Sequence, residues 1–192
     1  MTVTQLDSRT ALIVIDLQKI MASMPVAHPF TNILENAARL AGIFRQHDLP
    51  VVLVNVVEAA PGRTEQSHFS GALPPDWSEL LPELNRQPQD HLVSKRTWGA
   101  FTETDLEEYL KSAGVTQIVV CGVATSIGVE STARQAHELG FNVTLAIDAM
   151  TDLSAEAHVN SLDRIFPKLG ETGTTQDIVD LLSKRTTEMY RP

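Results

Sequence analysis

Five short apolar runs rich in valine and isoleucine recur along the chain, separated by stretches with helical periodicity, and this alternation restricts the fold more than any other feature. The runs are residues 11–16 (ALIVID), 51–57 (VVLVNVV), 91–94 (HLVS), 117–121 (QIVVC) and 142–147 (NVTLAI). β-Branched residues without polar alternation suit strands covered on both faces. Residues 32–47 place Ile33, Ala37, Leu40, Ala41 and Phe44 on one helical face, and residues 104–113 and 126–139 repeat the pattern. A last strand near residues 168–171 and a helix over 174–182 complete the series. Strands alternating with helices join through right-handed crossovers, which predicts an α/β fold: a three-layer α-β-α arrangement around a mostly parallel sheet of five or six strands.

The chain is 192 residues long, which suits a single domain spanning residues 1–192 that buries about 70% of its unfolded surface. With 43% hydrophobic and 20% charged residues, and no apolar run approaching the roughly 18 residues of a membrane span, it is expected to be a soluble globular protein away from membranes. The apolar stretch at residues 11–15 is too short for a signal peptide, so a cytoplasmic location is expected. The net charge of −9 argues against nucleic acid as a partner, because such binding relies on Lys and Arg neutralising phosphates. The lone cysteine, Cys121, excludes an internal disulfide and, inside an apparent strand, is expected to act as a small buried hydrophobe. Histidines 28, 47, 68, 91, 137 and 158 form no pair at metal-ligand spacing, and no glycine-rich phosphate loop occurs. Neither a metal nor a nucleotide cofactor is therefore expected.

In open parallel sheets ligands bind beyond the carboxyl ends of the strands. That rule collects Asp16, Asn55, Lys95 and residues 124–128 (ATSIG) and predicts that they face one cleft. Residues 118–134 (IVVCGVATSIGVESTAR) predict a strand, a tight turn and a helix, whose first amides would be unpaired donors for an anion. Gly128 falls in that first turn, where glycine costs roughly 1 kcal/mol relative to alanine and so suggests a need for space. Residues 58–89 break the rhythm with Pro61, Pro74, Pro75, Pro82 and Pro88, which predicts a lid or oligomer-contact loop.

Three ordered segments, ALIVIDLQ (residues 11–18), SKRTWGAF (94–101) and the strand-turn-helix stretch ending in Gly128, resemble the motifs of the isochorismatase-like hydrolases, and the match runs through nearly the whole chain. The resemblance implies a Rossmann-like fold and a catalytic site of Asp16, Lys95 and the position of Gly128. In most such relatives the residue matching Gly128 is a nucleophilic cysteine, preceded by a cis peptide that here would join Val123 to Ala124. A sulfur-free site implies acid and base chemistry instead. By analogy with enol-ether-cleaving members, Asp16 would protonate a vinyl carbon, Lys95 would hold an anionic group of a small-molecule substrate, and Gly128 would leave room for ring or water. Gln18, Asn55, Arg63, Trp98, Phe101, Ala124, Thr125 and Ser126 are the candidate substrate-binding residues, with Arg96 a further cation. Trp98, Phe101 and Val129 are candidate apolar walls, needed because Lys95 alone would favour the ionised form of Asp16. Metal-dependent nicotinamidases resemble the family too, but the aspartate and histidines that they need after the second strand are missing from residues 56–62 (VVEAAPG). The family resemblance also implies a homo-oligomer, a dimer or tetramer.

Two other readings stay open on sequence alone. Ser126 sits in a small-x-Ser-x-small pattern with Asp148 or Asp152 and then His158 downstream, the chain order of an α/β-hydrolase triad. Glycine at the nucleophile position equally suits a noncatalytic binding or regulatory protein.

Overall fold

The five apolar runs and the last predicted strand correspond to strands Thr10–Ile15 (β1), Val51–Val56 (β2), His91–Lys95 (β3), Gln117–Val123 (β4), Asn142–Thr151 (β5) and Glu171–Gly173 (β6). All neighbouring pairs are parallel, in the order β3-β2-β1-β4-β5-β6. This computed structural model describes residues 2–65 and 73–189; His68 and the middle of the proline-rich loop lie outside the described residues.

Helices cover both faces. Leu12 and Val14 of β1 pack with Leu40, Ala41 and Phe44 of helix Phe30–Gln46 and with Ile178 and Leu182 of helix Thr175–Met189. Ala11, Ile13 and Ile15 point the other way, into a second core with Leu106 and Leu110 of helix Leu106–Ser112 and Ala133 and Ala136 of helix Glu130–Glu138. Every residue of β1 is buried, because successive side chains alternate between two covered faces. In chain order the helices are Lys19–Ala22 (α1), Phe30–Gln46 (α2), Leu106–Ser112 (α3), Glu130–Glu138 (α4), Ala155–Asn160 (α5), Phe166–Leu169 (α6) and Thr175–Met189 (α7).

Several boundaries differ from the sequence expectation for local reasons. β4 continues past Cys121 through Gly122, whose φ of +120° and close approach to β1 hide a strand position behind a residue of no strand preference. β5 runs on to Thr151 because it bows away from β4: pairing jumps from Val120 with Leu145 to Gly122 with Met150. The last strand begins at Glu171 rather than 168, since Pro167 lies in the first turn of α6 and residues 166–169 are helical. Residues 155–165, unassigned by periodicity, form α5 and one wide π-type turn, Ser161–Ile165.

Candidate active site

From β1 the chain builds outward through β2 to β3, then returns to lay β4 against the other side of β1. The space beyond the carboxyl ends of β1 and β4 is thus the topological switch point of the sheet, where such folds bind ligands. Asp16 directly follows β1 and the turn Thr125–Val129 follows β4.

Asp16 leaves the strand in the left-handed region, φ 52°, with its N–H donated to Val54 O at 2.9 Å. Aspartate tolerates this conformation better than a branched residue, at a cost of order 1 kcal/mol. The twist ends the strand and sets the carboxyl at the switch point. Lys95 stands on edge strand β3, with β2 between it and β1, and its long stem spans the intervening strand. Its Nζ lies 2.8 Å from Asp16 Oδ2 and donates also to Thr97 O at 3.1 Å. Both residues are buried, with 4% and 2% of their surface exposed.

Burial and the lysine act on Asp16 in opposite directions. Desolvation raises its pKa while the charge and hydrogen bond of Lys95 lower it; burial wins, and the carboxyl is pushed up to about 6. The second oxygen, Oδ1, is buried with no hydrogen-bond partner. A buried carboxyl with one oxygen tied to an ammonium and the other unsatisfied is poised to hold and release a proton.

Gly128 completes the group. A Cβ built on it would lie 2.9 Å from Ile15 Cγ2 and 3.3 Å from Asp16 Oδ2, so a side chain here would project against the carboxyl. Ala124 O accepts from the N–H groups of both Ile127 and Val129, at 3.1 Å each, giving the widened π-type turn that often marks functional sites. The peptide joining Val123 to Ala124 is cis.

The Isochorismatase domain model matches residues 10–177, a span containing all three groups. The chain belongs to the isochorismatase family. It is 40% identical over 179 residues to YwoC, an uncharacterised isochorismatase family protein of Bacillus subtilis (90% of this chain, 93% of that protein). It is 34% identical over 166 residues to Nicotinamidase 3 of Arabidopsis thaliana (79% and 78%). Among solved structures, an isochorismatase family protein of Burkholderia thailandensis superposes with a TM-score of 0.89 at 39% identity, covering 93% of this chain and 98% of that one.

Within this isochorismatase-family fold the three groups lie beneath the surface at the switch point. Asp16, Lys95 and Gly128 are all buried, and the space before Gly128 is taken by the Ile15 methyl and the Asp16 carboxylate. A surface hollow of about 460 Å³, lined by Ala155, Glu156, Val159, Asn160, Asp163 and Arg164, shares no residue with the site.

The turn donors, expected to be unpaired, are partly spent. Ser126 N–H donates to Asp152 Oδ2 at 2.7 Å, and those of Ile127 and Val129 to Ala124 O; the Asp152 carboxylate occupies the place an external anion would take. His158 Nδ1 lies 2.8 Å from the hydroxyl of buried Thr125, not Ser126, and Asp148 caps Thr175 on α7. No Ser126-His158-Asp relay is assembled.

Of the remaining candidates, Gln18 is wholly buried. It accepts from Val56 N–H and donates to Val56 O and Trp77 O, tying β1, β2 and the proline-rich loop together. Asn55 likewise donates to Ser78 O and accepts from Ser94 Oγ. Phe101 lies against Phe141 in the second core, with ring centroids 6.1 Å apart, and Val129 is buried there too. Trp98 is 55% exposed, Arg63 lies exposed on the loop, and Arg96 pairs with Glu58 at 3.1 Å. Burial pushes the Cys121 thiol far above its ordinary range, which leaves it unreactive. Among the described residues no three His, Cys, Asp or Glu side chains are grouped as a metal would need, and no helix is long and apolar enough to cross a membrane.

Proposed function

We propose that the protein is a hydrolase that cleaves a small, anionic enol ether of the isochorismate type by acid and base catalysis from Asp16, without a thiol nucleophile. The observation that carries this reading is the buried, unpartnered Oδ1 of a carboxyl whose pKa is pushed up to about 6. About a tenth of such groups hold their proton at pH 7, enough for a general acid that regains it each turnover. The proton passes from Oδ1 to the vinyl carbon, and water adds to the cation so formed. Asp16 takes a proton back from that water, and the hemiketal divides into a ketone and an alcohol. Lys95 offsets the carboxylate left behind through Oδ2. Two of its three N–H donors are engaged with Asp16 and Thr97, and the third serves a substrate anion.

The test is turnover of isochorismate, with nicotinamide as the competing amide substrate, by wild type and Asp16→Asn, each first shown to be folded by circular dichroism. The reading predicts release of pyruvate by wild type and a loss of about 10²–10⁴-fold in Asp16→Asn. Pyruvate release that survives in Asp16→Asn contradicts the assigned acid, and cleavage of nicotinamide alone contradicts the substrate.

A further inference from the structure

Lys95 must reach Asp16 across β2, and the ten residues after it, up to α3, carry no helix or strand. What holds that loop is one face of α4. The hydroxyl of Thr132, fully buried, donates to Gly128 O at 2.7 Å and accepts from Ala100 N–H at 3.1 Å. One turn later, Gln135 accepts from Phe101 N–H at 3.2 Å and donates to Thr102 Oγ1 at 2.7 Å. The contact is close: a Cβ at Gly99 would lie 2.1 Å from Gln135 Oε1, so a larger residue there would displace the Gln135 amide from the loop. Thr97, whose carbonyl accepts from Lys95 Nζ, donates its hydroxyl to Gly99 O, so the bonds run without a break from Gly128 through Thr132 and the loop to Lys95.

We propose that Thr132 and Gln135 are positioning residues, which set the Lys95 ammonium against Asp16 by clamping the loop after β3 onto the helix that begins at the Gly128 turn. Thr132 does this with a single oxygen: its donated bond registers the turn, its accepted bond registers the loop, and neither element moves relative to the other without breaking one of them. Serine keeps both bonds. Valine, of nearly the same shape, keeps neither and leaves the Ala100 N–H buried without a partner. Gln135 is half-buried, so truncating it loosens the loop while sparing the core.

The proposal rests on Asp16 and Lys95 being the working pair, but not on what the pair cleaves, and its test needs no substrate. The carboxyl carbon of Asp16 is titrated by ¹³C NMR in wild type, Thr132→Ser, Thr132→Val and Gln135→Ala. A nearby opposite charge lowers a carboxyl pKa by about 1–3 units, and a loosened Lys95 returns part of that. Thr132→Val and Gln135→Ala are expected to raise the Asp16 midpoint by the order of one unit, with Thr132→Ser unmoved. Should Thr132→Val fail to fold, Gln135→Ala alone decides. Folded variants whose Asp16 midpoint stays at the wild-type value overturn the proposal, as does a shift in Thr132→Ser equal to that in Thr132→Val. Absence of isochorismate turnover with the midpoints shifted as expected would instead defeat only the substrate reading.

Discussion

At the scale of single residues, the proposed chemistry turns on one carboxyl that folding makes harder to ionise. Asp16 has a pKa of about 6 against an ordinary 3.8, so between those values the folded chain binds more protons than the unfolded chain. Stability from this group therefore falls as pH rises through that window, by up to about 3 kcal/mol. Urea unfolding of wild type and Asp16→Asn across this range checks it, and the difference between the two is expected to shift against wild type as pH rises. The pair also behaves as a unit. Asp16→Asn leaves the Lys95 ammonium buried without its carboxylate, and adding Lys95→Met is expected to relieve that unpaired charge. That Asp16 and Lys95 meet was legible in the sequence, because each stands at the end of a strand within a recognisable motif. The roles of Gln18 and Asn55 were not: a polar side chain near a strand end looks the same whether it meets a ligand or, as here, the backbone of residues 77–78. Nor does sequence show that Gly128 faces a packed methyl rather than open space.

Elements are placed by features that carry little apolar signal. Gly122 lets β4 pass close beside β1: with φ +120°, its Cβ would lie 2.0 Å from Ile15 O. Gly122→Ala is expected to cost at least about 2 kcal/mol, because the obstacle is backbone and cannot rotate away; thermal unfolding measures it. The five parallel runs with β-branched composition were readable, as was α2 with its one apolar face. Helix α5 was not, since only His158 of its six residues is buried and Val159 is 53% exposed, so no apolar stripe marks it. The signal that was available is the Ser154 side chain, which accepts from Ala157 N–H as an N-cap. The π-type turn of residues 125–129 likewise has no periodicity of its own, being set by Ala124 O accepting twice.

For the molecule as a whole, the central strands β1 and β4 are covered on both faces and flanked on both edges, whereas β3 and β6 are edge strands. Hydrogen exchange is expected to be slowest in β1 and β4 and faster in β6, where only three residues pair. Ties outside the sheet differ in strength according to burial. Arg45 meets Asp90 at 2.7 Å with the carboxylate side chain only 1% exposed, so Arg45→Met is expected to cost about 3–5 kcal/mol. Lys19, 40% exposed and paired with Asp76 and Glu79, is expected to cost far less when replaced by Met, because solvent screens the pair; urea denaturation compares the two. The switch-point location of the site follows from topology, and it was predictable once strands and helices were seen to alternate. Whether the site is open or closed depends on packing across elements distant in sequence. The most direct measurement of the central claim is the pH dependence of kcat for isochorismate cleavage. If protonated Asp16 delivers the proton, kcat falls as pH rises through about 6 and the fall is absent from the residual rate of Asp16→Asn; a kcat that climbs through that range, or an unchanged profile in Asp16→Asn, contradicts it.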